Sequence, residues 1–133
     1  LSGSANYTVI ETNGNFGGTT NRKTGEVAGF IPKAGNVSLS WRYRGFSSRV
    51  LYNFTGAHIA SYSATSPALN RYRYDRNTVN LGLAYRLRPS VTLTCDVANL
   101  FNEPQRLYQG IPGRTQDVII NFVTVTLGVS GRF

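Results

Sequence analysis

The ionisable and nucleophilic side chains of this 133-residue chain are too scattered to build a catalytic centre. His58 and Cys95 fall on different predicted strands, so neither has the partner that an activated nucleophile needs. No His/Cys cluster has the spacing of metal ligands, and no glycine-rich loop stands between a strand and a helix, where phosphates are bound. The sequence therefore predicts a protein that is not an enzyme and that carries no cofactor and no metal. The six carboxylates form no close pair in the sequence: Glu11, Glu26, Asp75, Asp96, Glu103 and Asp117.

Arginine is the main source of charge in this chain, because the net charge is +8 and 12 of the 14 cations are Arg. Single-stranded nucleic acid is bound where cations and aromatic rings share one face. In this chain they divide between opposite parities of the predicted strands, so no nucleic-acid partner is expected. The run Arg71-Tyr72-Arg73-Tyr74, in a predicted loop, has the chemistry to grip an anionic or aromatic ligand. Several charged residues fall on the polar parity of predicted strands: Arg42, Arg44, Arg49, Arg86, Arg88, Asp96 and Arg132.

Alternation of apolar and polar residues, the period of a β-strand, runs through the six segments that must position these side chains. The last segment is the longest, and its apolar parity includes Val125, Leu127, Val129 and Phe133. An ordinary strand has about 5–6 residues, whereas a tilted membrane strand has about 9–11. The predicted strands cover residues 1–9, 35–43, 46–59, 76–87, 91–101 and 119–133, with long loops at 11–33, 60–75 and 102–118.

The two short connections, 44–45 and 88–90, fix the relative register of the strands that they join. The residues that flank each turn share the apolar parity: Tyr43 and Phe46 around the first, Leu87 and Val91 around the second. A slip of one residue would send every apolar side chain to the opposite face, so this agreement predicts one sheet with an apolar and a polar side. Long and short connections alternate, as they do in membrane barrels. The sequence therefore predicts an all-β fold, an antiparallel up-and-down transmembrane β-barrel segment of about six strands.

The block Asp96-Val-Ala-Asn-Leu-Phe-Asn-Glu-Pro-Gln105 resembles the penultimate-strand motif of TonB-dependent outer-membrane receptors. Asn99, Leu100 and Phe101 form its characteristic step. Tyr108 and Gly110 follow in the order usual for the family, and residues 128–133 resemble its terminal Gly-Val-x-Gly-x-Phe strand. Segments 31–43 and 45–54 resemble the strand pairs that precede the motif, so the resemblance covers nearly the whole chain.

The resemblance implies that residues 1–133 are the C-terminal part of a 22-stranded, plugged barrel in the bacterial outer membrane. The plug domain and the N-terminal barrel strands would precede this chain. The implied function is import of a scarce nutrient, of the iron–siderophore, cobalamin or glycan type, with energy from the TonB complex through the absent N-terminal region. The implied partners include outer-membrane lipid, lipopolysaccharide, the remainder of the same receptor and the barrel-assembly machinery, which would recognise a signal at Leu127, Val129 and Phe133.

In such a barrel the lumen would be lined by five of the charges on the polar parity: Arg42, Arg49, Arg86, Asp96 and Arg132. There they would face carboxylates of the plug, line the route of an anionic substrate, or form a structural lattice with water. The run 71–74 would lie in an extracellular loop, where it would bind a ligand or touch the phosphates of lipopolysaccharide.

A secreted, soluble β-sandwich that binds glycans is the alternative. Asn6, Asn36 and Asn53 would then head glycosylation acceptor motifs. A sandwich needs a second sheet packed on its apolar parity. A covering layer over Leu81, Leu93, Val125 and Leu127 would therefore contradict the membrane interpretation.

Overall fold

The computed structural model describes residues 1–16 and 22–131, and this part of the chain is all-β with antiparallel sheets. Besides its strands it contains a short 3-10 helix, Pro67–Leu69, and none of its helices is long and apolar enough to cross a membrane. In chain order the strands are β1 (Ser2–Val9), β2 (Gly14–Phe16), β3 (Arg22–Thr24), β4 (Lys33–Tyr43), β5 (Phe46–Thr55), β6 (His58–Ser61), β7 (Arg71–Arg73), β8 (Arg76–Arg88), β9 (Val91–Ala98), β10 (Gln105–Gln109), β11 (Thr115–Ile119) and β12 (Thr124–Gly131).

The main element is a six-stranded sheet whose order, β1-β4-β5-β8-β9-β12, follows the chain. Each neighbouring pair is antiparallel, so the predicted up-and-down arrangement of six strands is confirmed. Two tight turns, at 44–45 and 89–90, lie at one end of the sheet, and the three long connections lie at the other. We call these the turn end and the loop end. The sheet is open, with β1 and β12 as its edges.

The long connections contain strands that the sequence did not indicate. β6, β7, β10 and β11 form a four-stranded sheet in the order β11-β10-β7-β6, and β2 pairs with β3. The prediction that residues 11–33, 60–75 and 102–118 are loops was therefore wrong over these strands. The strands are only 3–5 residues long, so they span too few residues for an alternation to be recognised.

Three predicted strands extend too far. β5 ends at Thr55 rather than at 59, and His58–Ser61 belongs to the other sheet. β9 ends at Ala98 because Asn99 is left-handed, with φ 54°. The last strand begins at Thr124 rather than at 119, because Thr115–Ile119 pairs with β10 and the left-handed Phe122, also at φ 54°, interrupts the extended chain between them.

Cross-strand pairing gathers the apolar parity of the six strands on one side of the sheet, which we call the apolar face. Paired residues project to the same side, and the opposite side, the polar face, is rich in Ser, Thr, Asn, Arg and Gly. The predicted division into two faces is confirmed. Arg88 is an exception, because a β-bulge pairs it with Val91 of the apolar face. The middle row of the apolar face consists of Leu39, Val50, Leu81, Val97 and Val125.

The described part of the chain has almost no hydrophobic core. Ile59, 1% exposed, is its only buried apolar side chain, whereas Leu93, Val125 and Leu127 on the apolar face are 39%, 58% and 76% exposed. Among the described residues, no strand of the four-stranded sheet packs across the six-stranded sheet. The accessible surface is 9388 Å², whereas a compact protein of 14.6 kDa has about 6,900 Å². The fold therefore leaves a large apolar surface without a covering layer.

Asn99 ties the loop end of the six-stranded sheet together. Asparagine adopts its left-handed backbone more readily than most residues, and its side chain is buried. The Oδ1 atom accepts a hydrogen bond from the N–H of Glu103 at 2.9 Å, and Nδ2 donates to the carbonyl of Phe122 at 3.2 Å. The N–H of Asn99 donates to Oδ1 of Asn80 at 2.9 Å. Asn99 thus links β8, β9 and the segment that enters β12.

The other two residues of the Asn-Leu-Phe step differ in their roles. The N–H of Leu100 donates to the carbonyl of Val79 at 2.8 Å, which holds the turn against β8. The side chain of Phe101 is 74% exposed. The step therefore has a structural function in the described fold, carried by its first two residues.

The Asn99 side chain makes three hydrogen bonds, the third from Nδ2 to the carbonyl of Glu103 at 3.4 Å. We expect Asn99→Ala to lower the free energy of unfolding by about 4 kcal/mol, from these three bonds at about 1 kcal/mol each and a left-handed alanine that costs about 1 kcal/mol. Asn99→Gly removes the same side-chain bonds without the left-handed penalty, so it separates the two contributions. Urea unfolding in detergent micelles, followed by fluorescence of Trp41, measures both. An Asn99→Ala variant as stable as the parent would contradict the linking role.

Candidate functional site

The polar face brings the predicted charged residues together. Arg49, Gly82 and Asp96 lie in one cross-strand row. Arg42 lies in the next row towards the turn end, opposite Ser47, and Arg86 lies one row further. Four of the five residues predicted to line the lumen therefore share one face, and Arg132 lies outside the described residues.

A hollow of about 540 Å³ opens on this face between the arginines and Asp96. Its floor consists of small residues, Ser47, Gly82 and Ala84. A Cβ atom at position 82 would lie 3.1 Å from Oδ1 of Asp96, so the absence of a side chain there leaves the carboxylate room to lean over the sheet. The hollow thus has a neutral floor with guanidinium groups and one carboxylate at its margin.

The charges around the hollow are unbalanced. Within the described residues the only ion pair at 4 Å or less joins Arg71 and Asp117 in the four-stranded sheet, so the guanidinium groups of the polar face form none. Two arginines, Arg42 and Arg49, against the single Asp96 give the hollow a positive potential that attracts anions.

Arg76 is a further cation of the polar face that the sequence reasoning missed. It pairs with Thr55 at the loop end, and its Nη2 donates to the carbonyl of Glu103 at 3.4 Å. Its Nε is buried without a hydrogen-bond partner. Arg76 and Thr78 are two residues apart in β8, so the alternation of the sequence already indicates that Arg76 lies on the polar face.

The run 71–74 lies mainly on a strand rather than in a loop, since Arg71–Arg73 is β7. Tyr72 is the cross-strand partner of Tyr108, and their rings stack with centroids 5.1 Å apart and planes 11° from parallel. The ring of Tyr74 tilts against the same Tyr108 at 4.6 Å, and its hydroxyl donates to the carbonyl of Pro112. Tyr108, which the sequence reasoning did not single out as a site residue, is therefore the centre of this aromatic cluster.

The surroundings of Tyr108 disfavour ionisation of its hydroxyl. Burial raises the pKa of the phenol above its ordinary value, and the neighbouring Tyr72, Tyr74 and Glu26 act in the same direction. The guanidinium carbon of Arg106 lies 4.9 Å from the centroid of the Tyr74 ring, which adds a cation–π contact to the cluster.

The two arginines of the run are also engaged within their own sheet. Arg71 donates from Nε to Oε1 of Gln116 at 2.8 Å and lies 3.8 Å from the Asp117 carboxylate. Arg73 faces Gln105. With the side-chain amide of Gln105 oriented so that its oxygen points to Arg73, this oxygen accepts a hydrogen bond from Nη1 at 2.9 Å. The run therefore forms a preorganised platform, and a ligand would have to compete with these internal contacts.

Aromatic side chains of the apolar face lie in two bands. Tyr7, Tyr52 and Phe54 lie near the loop end, in the rows of Gly35 and Val37. Trp41 and Tyr43 stack at 6.1 Å near the turn end, where Phe46 and Tyr85 join them. The rows of Gly35 and Tyr43 are eight residues apart on β4, or about 26 Å along the strand.

The edge strand β12 carries the described part of the predicted assembly signal. Leu127 and Val129 lie on the apolar face and are 76% and 74% exposed, whereas Phe133 lies outside the described residues. Cys95 pairs with Leu127 on the same face. Over residues 1–16 and 22–131, no three His, Cys, Asp or Glu side chains come together as a metal site.

We expect Tyr108→Ala to destabilise the four-stranded sheet locally by about 2 kcal/mol, because it removes two ring–ring contacts worth about 0.5–1.5 kcal/mol each. Hydrogen exchange of the β7 and β10 amides should become faster, with the amides of β4 and β5 unchanged. Tyr108→Phe keeps the rings and is the matched control. Unchanged exchange in Tyr108→Ala would mean that the cluster does not hold the sheet.

Comparison of the chain with protein-family models, with curated proteins and with solved structures gave no match.

Proposed function

We propose that the six-stranded sheet is part of the wall of an outer-membrane β-barrel, with hydrocarbon against its apolar face and water against its polar face. The observation that carries the proposal is the uncovered apolar face, on which Leu127 and Val129 remain about three-quarters exposed. In water, an apolar patch much larger than a few hundred Å² is unfavourable and marks an interaction site. Hydrocarbon removes that penalty without a second protein layer.

Strand length and aromatic placement support this environment. β4 and β5 have 11 and 10 residues, within the range of about 9–11 for a tilted membrane strand. The aliphatic middle row lies between the two aromatic bands, and aromatic girdles flank an apolar band of about 25 Å in such barrels. Rings with an apolar body and a polar edge favour that boundary.

The open edges indicate what else the barrel requires. β1 and β12 present unpaired backbone groups at the sides of the sheet, and hydrocarbon does not tolerate such groups. Further strands must therefore pair with both edges to close the wall. We propose that they belong to the same receptor, of which this chain supplies the C-terminal strands.

The specific proposal is a TonB-dependent transporter that imports a scarce nutrient, of the iron–siderophore, cobalamin or glycan type. It rests on the resemblance of the Asn99-Leu100-Phe101 step and the terminal strand to that family. The positive hollow on the polar face suits a lumen that meets carboxylates of a plug or passes an anionic substrate. A soluble glycan-binding sandwich is disfavoured, because the described chain packs no second sheet on the apolar face.

Trp41, the only tryptophan, tests the environment of the apolar face directly. In mixed micelles with bromine-labelled phosphatidylcholine, we expect strong quenching of its fluorescence, because the ring lies 46% exposed on that face. The matched control is Trp41→Phe with Leu51→Trp, which moves the single tryptophan to the polar face. That variant should be quenched by aqueous acrylamide and little by the brominated lipid. Equal lipid quenching at both positions, or a monomeric chain that stays soluble without detergent, would refute the proposal.

A pair of leucine-to-arginine substitutions gives a second test. Leu39→Arg places a charge in the middle row of the apolar face, where it should cost about 2–4 kcal/mol of stability in a bilayer. Leu51→Arg makes the same change on the polar face and should alter stability by less than about 1 kcal/mol. Urea unfolding of the closed barrel, with its further strands present, in phospholipid vesicles measures the difference. Similar effects of the two substitutions would argue against a hydrocarbon-facing side.

A further inference from the structure

The apolar face carries a notch near its loop end. Ala5, Tyr7, Val37, Tyr52 and Phe54 surround Gly35, and the space among them is about 440 Å³. Every one of these side chains projects from the same face of β1, β4 and β5. Asn6 and Asn36, which pair with each other on the opposite parity, also line the notch, so its lining is mainly apolar.

The notch exists because two neighbouring rows have small residues at this place. Gly35 stands between Tyr7 and Phe54, and Ala5 stands beside Val37 in the next row. A Cβ atom at position 35 would lie 3.0 Å from Cδ2 of Tyr7, so the ring already leans over the glycine and forms one wall. The gap is thus built into the face and is closed on one side by an aromatic ring.

Lys33 stands directly beyond the notch towards the loop end. It precedes Gly35 by two residues on β4, so it projects from the same face at a distance of about 7 Å along the strand. Its carbonyl accepts a hydrogen bond from the N–H of Gly56 at 2.8 Å, which fixes the end of the strand. Among the described strand residues, Lys33 is the only cation at this end of the apolar face; Arg88 lies at the turn end.

We propose that the notch and Lys33 together bind one phospholipid whose headgroup is anionic, with an acyl chain in the notch and the phosphate at the ammonium group. The inference rests on the proposed membrane environment of the apolar face. The long stem of a lysine reaches past apolar surface and keeps its charge at the polar boundary. The order along β4, cation then apolar gap, matches the order of headgroup and acyl chain in such a lipid.

Charge complementarity selects this occupant over an uncharged one. A neutral or zwitterionic lipid would fill the notch with its chain but would gain little from Lys33. A free phosphate ion would meet the ammonium group but would gain nothing from the five apolar walls. Only a molecule with both parts uses both features.

The test measures lipid retention by native mass spectrometry, with the chain purified in detergent micelles. The probes are dimyristoylphosphatidylglycerol and dimyristoylphosphatidylcholine, which have the same acyl chains and differ in headgroup charge. We expect one retained phosphatidylglycerol per chain and weaker retention of phosphatidylcholine. Lys33→Gln should weaken phosphatidylglycerol binding about fivefold, the effect of one lysine at a membrane surface, and should leave phosphatidylcholine unchanged.

Ala5→Leu fills the notch from an exposed position and keeps the face apolar, so it should reduce retention of both lipids. The matched controls are Arg88→Gln, which removes the cation at the turn end, and Val125→Leu, which enlarges an apolar side chain four strands away. Both should bind phosphatidylglycerol as the parent does.

Equal retention of the two lipids by the parent, or loss of retention in the controls as large as in Lys33→Gln and Ala5→Leu, would overturn the inference. Quenching of Trp41 by brominated lipid in the same micelles keeps this failure separate from failure of the membrane proposal. Quenching of Trp41 without selectivity for phosphatidylglycerol would refute the lipid-binding site alone. Absence of quenching would refute both the lipid-binding site and the membrane proposal.

Discussion

The structure depends on one constraint: the six-stranded sheet satisfies its backbone hydrogen bonds internally but does not bury its apolar side chains. Pairing from β1 to β12 is continuous, so the ladders alone define the shape and the register. With Ile59 as the only buried apolar side chain among the described residues, burial within the chain contributes little. Stability must then come from whatever covers the apolar face, since burial of apolar surface is the main favourable term in folding.

At the loop end, the connections of the six-stranded sheet form a second, smaller sheet. β5 and β8 give way to β6 and β7, and β9 and β12 give way to β10 and β11, so the four-stranded sheet is built from two of the three long connections. The buried side chains gather there: Ile59 and His58 on β6, Asn70 before β7 and Asn99 after β9. Asn99 and Asn70 satisfy backbone groups at these changes of direction. The buried side chains of the described residues are thus concentrated at the loop end, whereas the two faces of the six-stranded sheet stay exposed.

Alternation in the sequence predicted the six strands, both tight turns and the two faces, because the side-chain period of a strand does not depend on what lies around it. The four-stranded sheet could not be predicted in this way. Residues 71–73 and 105–109 are too short and too polar to display a period, and the stack of Tyr72 on Tyr108 joins residues 36 positions apart. Ile119 has the same parity as the apolar residues of β12, so the sequence predicted one continuous strand. The strand is interrupted at Phe122, whose carbonyl accepts a hydrogen bond from Asn99, and the sequence alone does not show this contact. At Arg88 a bulge moved a side chain across the parity that the sequence assigned.

Glycines on opposite faces of the six-stranded sheet have the same consequence, because each leaves a gap between its neighbours. Gly82 opens the hollow on the polar face, and Gly35 opens the notch on the apolar face. In a packed core a neighbouring side chain would fill each gap, but residues 1–16 and 22–131 place no second layer over this sheet. In the membrane setting that we propose, a molecule from the adjoining medium would fill each gap, and the nearest charge would determine which molecule fits. Arg42 and Arg49 beside the hollow would favour an anionic group in water, and Lys33 beside the notch would favour an anionic headgroup whose chain lies in hydrocarbon. In that proposal the two faces select their partners by the same physical rule, applied at different dielectric constants.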